Sequence, residues 1–219
     1  MAEASPGKKD RARRHFDRWS GRYEEDRTSR WLAELQEEAL RALDLTATDR
    51  LLDVGCGTGA AVRSAAPLVE RAVGVDLSEG MISRARELAA DLPNAEFHEG
   101  DSERLPFADG TFTAVLCTTS FHHYPEPRRA VAEMARVLAP DGRVVIGDGC
   151  TDRLATRILD LGLRTLQRSH VRFYRSRELL ALLAQEGLTP EDPRLLFKGG
   201  YVIAAARKGR VDSPAAALS

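Results

Sequence analysis

Short apolar runs alternate with helix-period stretches through the middle of the chain. Arg50 to Val54 is dense in apolar residues and reads as a strand buried on both faces. A helical stretch follows to about Val69, then a strand over Ala72 to Leu77. Ser78 is placed to cap a helix over Glu79 to Ala90, which Pro93 ends. Ala95 to His98 is a short strand and Phe112 to Cys117 a longer one. Arg128 to Leu138 is a helix, and Asp141-Gly142 turns the chain into a strand over Arg143 to Gly147. Strand and helix in strict alternation predict an α/β fold, a parallel sheet with helices on both faces.

The two ends follow other patterns. Residues 1–9 read as disordered and 10–43 as helical, with Phe16, Trp19 and Tyr23 recurring on one helix face and a second helix from about Ser29 to Leu43. After the alternating region, Arg153 to Gln167 and Ser176 to Glu186 read as helices, the latter with Ser176 as cap and Gly187 as stop. Leu195 to Phe197 and Tyr201 to Ala205 flank Lys198-Gly199-Gly200, a spacing that predicts an antiparallel hairpin. Residues 208–219 read as a loose tail.

Composition narrows the function classes. The chain has 219 residues, 43% hydrophobic and 30% charged, enough for one domain with its own core. A net charge of −1 provides no global positive field to draw it to nucleic acid, and Lys8, Lys9, Arg11, Arg13 and Arg14 are balanced by nearby acids. No apolar run reaches the ~20 residues of a membrane span, and the start of the chain lacks the apolar core of a signal peptide. Cys56, Cys117 and Cys150 are widely spaced and odd in number, which suits a reducing, cytoplasmic setting. The five histidines lack metal-ligand spacing, so no metal is expected.

The candidate chemistry centres on Leu51 to Ala60, where a strand runs into Gly55-Cys56-Gly57-Thr58-Gly59 and then a helix. Glycines let backbone press against a ligand, and the helix N-terminus presents unpaired N–H groups. Gly55-x-Gly57-x-x-Ala60 fits a dinucleotide fingerprint. Acids fall at three successive strand ends: Asp53, Asp76 and Asp101. Asp76, 21 positions after Gly55, matches the acid that grips ribose hydroxyls. Asp53 argues against a pyrophosphate, because two like charges at ~4 Å cost about 4 kcal/mol at an effective dielectric of 20. S-adenosylmethionine carries ribose, an ammonium and a sulfonium but no phosphate, and suits an electronegative glycine-lined pocket.

At these residues the chain resembles the class I S-adenosylmethionine-dependent methyltransferases, and most of all the small bacterial group of quinone-biosynthesis and natural-product enzymes. The resemblance covers roughly residues 45–150. It rests on Leu51 to Gly59, Val73-Gly74-Val75-Asp76-Leu77-Ser78, Gly100 to Phe107 (GDSERLPF) and Met134 to Gly142 (MARVLAPDG). It implies a Rossmann-like, doubly wound seven-stranded sheet with an antiparallel last strand and a helical lid. The lid would comprise 1–44 and an insertion over 151–175, with the cofactor-binding core over 45–150, its C-terminal part over 176–207 and a tail over 208–219. The resemblance places Gly55, Gly57, Thr58 and Thr118 at the methionine end of the cofactor, with Asp53 near its ammonium. Asp76 would bind the ribose, Leu77 and Met81 would pack on the adenine, and Asp101 and the Ser102 backbone would meet the adenine edge. Tyr23 would close over the site.

The same resemblance implies transfer of a methyl group to a small-molecule acceptor such as a natural product, quinone or lipid-like metabolite. His122 and His123 follow the fourth strand, on the rim where the acceptor should meet the methyl group, and are the candidate general bases. Arg164, Arg168, His170, Arg172, Tyr174 and Arg175 form either a docking cluster for an acidic substrate or an ordinary solvated face. The metal-binding acid pair of catechol-type enzymes, the cysteine set of arsenic enzymes and the Asn-Pro-Pro-Tyr loop are all missing. Gly147-Asp148-Gly149 and Thr118-Thr119-Ser120-Phe121 occupy the first and last of these places. The competing reading, an NAD(P)-dependent oxidoreductase, predicts a neutral residue at position 53 and a Tyr-Lys pair after the fourth or fifth strand, and neither is present. A third reading, a cofactor-binding protein without catalysis, is disfavoured by the full set of cofactor motifs.

Overall fold

In the computed structural model, which describes residues 6–19, 27–166 and 170–210, the apolar runs build one mixed sheet. Its strands are β1 (Arg50–Val54), β2 (Arg71–Asp76), β3 (Ala95–Glu99), β4 (Phe112–Thr118), β5 (Leu138–Gly149), β6 (Leu188–Pro190), β7 (Arg194–Leu196) and β8 (Tyr201–Lys208). The helices among the described residues are α1 (Pro6–Trp19), α2 (Arg27–Leu43), α3 (Ala60–Ala65), α4 (Glu79–Leu88), α5 (Pro127–Val137), α6 (Leu154–Leu166) and α7 (Ser176–Gln185), with short 3₁₀ turns between. Seven strands lie on one path in the order β3-β2-β1-β4-β5-β8-β6, and β7 pairs with β8 off that path. The first five are mutually parallel, whereas β8 runs antiparallel to β5, β6 and β7. This is the doubly wound sheet with a reversed late strand that the sequence predicts.

Side chains alternate across the strands, so each strand feeds two cores. Leu52, Val54, Val73, Val75 and Val115 pack with Ala130, Val131 and Met134 of α5 and Leu179 and Leu183 of α7. Leu51, Leu116 and Val145 pack on the opposite face with Leu35, Ala39 and Leu43 of α2 and Ala61 and Ala65 of α3. Val62, Ile82, Ala85 and Phe97 tie α3 and α4 to the β2–β3 edge. Both faces are covered, which is why the central strands are apolar without alternation. Full burial of each such side chain contributes about 1.5–3 kcal/mol.

Several boundaries differ from expectation. α1 begins at Pro6, inside the stretch read as disordered; proline suits a first helical turn because its missing N–H would have no partner there. β5 is longer than expected and runs through Asp141-Gly142, with Asp141 taking a positive φ of 60°. Ser78 caps α4 by accepting from the Met81 amide at 3.1 Å, as predicted. Ser176 does not cap α7: its hydroxyl donates to Asp152 at 2.6 Å, and the helix is secured by Glu178 accepting from the Arg175 amide at 2.9 Å. Gly187 ends that region with φ 77°, the left-handed geometry a stop requires.

Candidate active site

The carboxyl ends of β1 to β4 meet at one cleft, where this topology places ligands. The turn leaving β1 is set by its glycines: Gly55, Gly57 and Gly59 have φ of 76°, 54° and 78°. The Gly55 and Cys56 amides donate to the Val75 carbonyl at 2.8 and 3.1 Å, which ties the turn to β2. The glycines serve different needs. A Cβ on Gly59 would lie 2.4 Å from the Phe97 ring, so that position belongs to packing; a Cβ on Gly57 would meet no protein atom within 4 Å. Gly57 therefore keeps backbone open to the cleft.

The cleft measures about 950 Å³ out to its open mouth. It is lined by Gly55, Gly57, Thr58, Asp76, Leu77, Met81, Asp101, Ser102, Thr118 and His123 among the residues expected from sequence. Asp76 accepts from the Gly57 amide at 3.0 Å and the Ser78 amide at 2.9 Å, which orients the carboxylate between the two turns. Enclosure raises its pKa, opposed by those two amides, and the nearby Asp17 carboxylate adds to the rise. Asp101 follows β3 and accepts from the Glu103 amide at 3.0 Å. Its loop is held on α5, because Glu133 accepts from the Leu105 amide at 2.7 Å and Arg136 donates to the Leu105 and Phe107 carbonyls.

Asp53 stands apart. It is fully buried in β1, paired in register with Gly74 and Leu116, and neither carboxylate oxygen has a hydrogen-bond partner among the described residues. It lies beneath the wall of the cleft rather than in it. Burial, with a smaller contribution from Asp76, pushes its pKa to about 7. The Thr118 hydroxyl is also buried with no described partner. A buried carboxylate without a donor is expensive, and a cationic ligand above the turn would relieve that cost.

Helix α1 lines one side of the cleft with Lys9, Arg13 and Phe16. Lys9 forms ion pairs with Asp101, at 2.6 Å, and with Glu103. Burial pulls the Lys9 ammonium down, but these two carboxylates hold its pKa above the ordinary value. Arg13 reaches Glu99 at 2.9 Å, and Asp17 accepts from the Ser78 hydroxyl at 2.5 Å. Phe16 lines the cleft with its ring edge-on to His123, centroids 5.1 Å apart. Tyr23 lies outside the described residues, so its place in the site is not fixed.

The two candidate bases occupy different positions. His123 lines the cleft. His122 sits against it, ring centroids 3.9 Å apart, and its Nδ1 lies 2.7 Å from Oδ1 of Asp148, while its amide donates to Oδ2 at 2.8 Å. Asp148, buried near the end of β5, fixes the ring with Nδ1–H as donor and Nε2 as acceptor. The same strand-end logic that marked Asp53, Asp76 and Asp101 could have found Asp148. The segment after β5 adds His170, whose ring lies 5.1 Å from that of His122 and whose Nε2 is 2.8 Å from Asp160. Ser120 and Tyr124, also on the cleft wall, both donate to the Val54 carbonyl at 3.2 Å and fix the end of β1.

Of the basic residues after β5, Arg168 lies outside the described residues, while Arg164, which is exposed, and Arg172, which is half-buried, are engaged with neighbouring side chains. Arg164 pairs with Asp160, and the Arg172 guanidinium lies 4.2 Å from the Tyr174 ring centroid and 3.8 Å from Glu178. Among the described residues no group of three or more His, Cys, Asp or Glu is placed to hold a metal ion.

Comparison with known proteins gives this arrangement its family. Residues 52–146 match the methyltransferase domain profile. The chain is 33% identical over 168 residues to the demethylmenaquinone methyltransferase of Clavibacter sepedonicus, covering 74% of this chain and 68% of that protein. The chain belongs to the class I S-adenosylmethionine-dependent methyltransferases. It is also 32% identical to the uncharacterized methyltransferase YcgJ of Bacillus subtilis, over 70% of this chain and 62% of that one. The crystal structure of YcgJ superposes with a TM-score of 0.72, covering 81% of this chain and 99% of the other. A geranyl diphosphate methyltransferase solved with S-adenosylmethionine shares the fold at a TM-score of 0.68 and 20% identity, over 82% of this chain and 85% of its own. The chain spans 39–62% of the length of several other curated relatives. Nothing in these comparisons supports the oxidoreductase reading.

Proposed function

We propose that this methyltransferase moves a methyl group from S-adenosylmethionine to a small-molecule acceptor, a natural product, quinone or lipid-like metabolite bearing a hydroxyl or comparable nucleophile. The observation that carries the reading is Asp53, a buried carboxylate without a described donor beneath an open glycine turn. That site favours a cation and opposes a pyrophosphate. The three cysteines, all free and buried, suit a reducing, cytoplasmic setting.

Bound S-adenosylmethionine would supply an electrophilic methyl on a positively charged sulfur, with a neutral thioether as leaving group. The protein's part is to hold and orient. Asp76, already aimed by two amides, receives the ribose hydroxyls. Leu77 and Met81 pack on the adenine, and Asp101 with the Ser102 backbone meets its edge. Gly55, Gly57, Thr58 and Thr118 line the methionine end, and Asp53 acts on its ammonium through the turn rather than by contact. Residues 1–44, with Tyr23, and 151–175 serve as the lid over the 45–150 core, whose C-terminal part is 176–207. Fixing acceptor and methyl in line can supply roughly 7–11 kcal/mol of the barrier.

His122 removes the acceptor's proton. Asp148 holds its Nδ1–H, so Nε2 is the accepting atom and the imidazolium that forms has a carboxylate beside it. His123, on the cleft wall, positions the acceptor against Phe16. The test is methyl transfer from labelled cofactor to a panel of phenols, quinols and macrolactone hydroxyls. His122→Ala should lower turnover by ~10²–10⁴-fold while cofactor affinity holds. Wild-type turnover in both His122→Ala and His123→Ala would end the general-base assignment.

A further inference from the structure

We propose that α6 is an interfacial helix that docks this protein on an anionic lipid bilayer. The helix is amphipathic in the reverse of the usual sense. Its one buried residue is Asp160, while Leu154, Ile158, Leu159, Leu161 and Leu166 are 56–85% exposed. At 100° per residue these five fall on one broad arc of the helix, together with Ala155, Gly162 and Thr165, whose hydroxyl donates to the Gly162 carbonyl at 2.8 Å. No described element covers that arc.

Charge identifies the occupant. Arg153, Arg157 and Arg164 fall along one border of the arc, and all three are exposed. Asp160, the only acid in the helix, is turned inward and engaged with Arg164, His170 at 2.8 Å and the Phe173 amide at 2.7 Å. The outer surface of the helix is therefore apolar and positive. Two-fold packing of this face on a second copy would bring like charges together with no acid on the helix to meet them. A bilayer with anionic headgroups matches both properties: leucines enter the headgroup–acyl boundary and arginines reach phosphates along its edge. No described helix is long and apolar enough to cross a membrane, so the attachment is peripheral.

The inward side of α6 ties this surface to the cleft. Asp160 holds His170, whose ring lies 5.1 Å from that of His122 and 6.5 Å from that of His123. The surface assignment stands whether or not the acceptor proposed above is correct, because binding is read without cofactor or turnover.

The experiment is co-sedimentation of the full chain with phosphatidylcholine vesicles, with or without one quarter phosphatidylglycerol, alongside sedimentation velocity of the free protein. The protein should bind the anionic vesicles about tenfold more tightly than the neutral ones. Leu154→Ser/Ile158→Ser/Leu161→Ser should abolish binding without lowering the melting temperature, since those side chains are exposed. Arg153→Gln/Arg157→Gln, which leaves the leucines in place, should lower binding to the anionic vesicles severalfold. A wild-type protein that stays in the supernatant with both vesicles would overturn the proposal. So would a wild-type dimer that the triple serine variant converts to monomer, because a second copy would then cover the arc.

Discussion

Replacing Asp53 with asparagine should make the empty protein more stable and a worse binder of cofactor. The carboxyl moves from 3.8 in the unfolded chain to about 7 in the folded protein, and a rise of that size corresponds to about 4 kcal/mol. The sign follows from proton linkage. Below pH 3.8 the group is neutral in both states and costs nothing. As pH rises toward 7 the unfolded chain ionises it while the fold keeps it protonated, and stability falls. Above 7 the folded protein carries a buried anion and the loss levels off. Asp53→Asn removes this component and keeps the shape, so its advantage should grow from pH 4 to pH 7 and reach about 4 kcal/mol at pH 8. At about 2–4 °C per kcal/mol for a chain of this size, that is on the order of 10 °C in melting temperature. Affinity for S-adenosylhomocysteine, which keeps the ammonium, should move the other way. It should fall about tenfold in the variant, and in the wild type about tenfold for each pH unit below 7, because the proton must leave first. Thermal melts of both proteins from pH 4 to 8.5, with and without the ligand, read all of this. A variant less stable than wild type at pH 8, or one with an unchanged pH slope, would refute the assignment of a strained anion at this position.

Other substitutions separate binding from packing. Asp76→Ala should weaken cofactor binding at least tenfold, about 1.4 kcal/mol, in a calorimetric titration. Gly57→Ala should reduce cofactor affinity with a modest change in melting temperature, whereas Gly59→Ala should mainly destabilise, because its Cβ would meet Phe97 at 2.4 Å. Asp148→Asn should lower turnover by ~10²–10⁴-fold with cofactor affinity intact, since the His122 ring would lose the carboxylate that fixes it.

The central sheet and the cleft at its strand ends are legible because local signals coincide with the tertiary arrangement. β1, β2 and β4 are dense apolar runs, and the glycine turn and the acids Asp76 and Asp101 follow strands directly, so spacing alone brings them to one edge. β6 and β7 have three residues each, too few for a periodic signal, and β6 was not anticipated. α1 begins earlier than the sequence pattern predicts because much of what holds it is distant in sequence: Lys9 meets Asp101 and Asp17 meets Ser78. His170, held by Asp160, places its ring 5.1 Å from that of His122, an arrangement that neither periodicity nor motif encodes. The position of Asp53 was half readable. Its strand-end acid was evident, but its placement beneath the wall of the cleft depends on how β1 packs between β2 and β4.

The cleft suits a cationic, phosphate-free nucleoside. The most direct measurement is isothermal titration of the protein with S-adenosylhomocysteine and, separately, with NADH. Saturable one-to-one binding of S-adenosylhomocysteine, with no heat from NADH over the same range, is the predicted result. Tight binding of NADH with none of S-adenosylhomocysteine would contradict it.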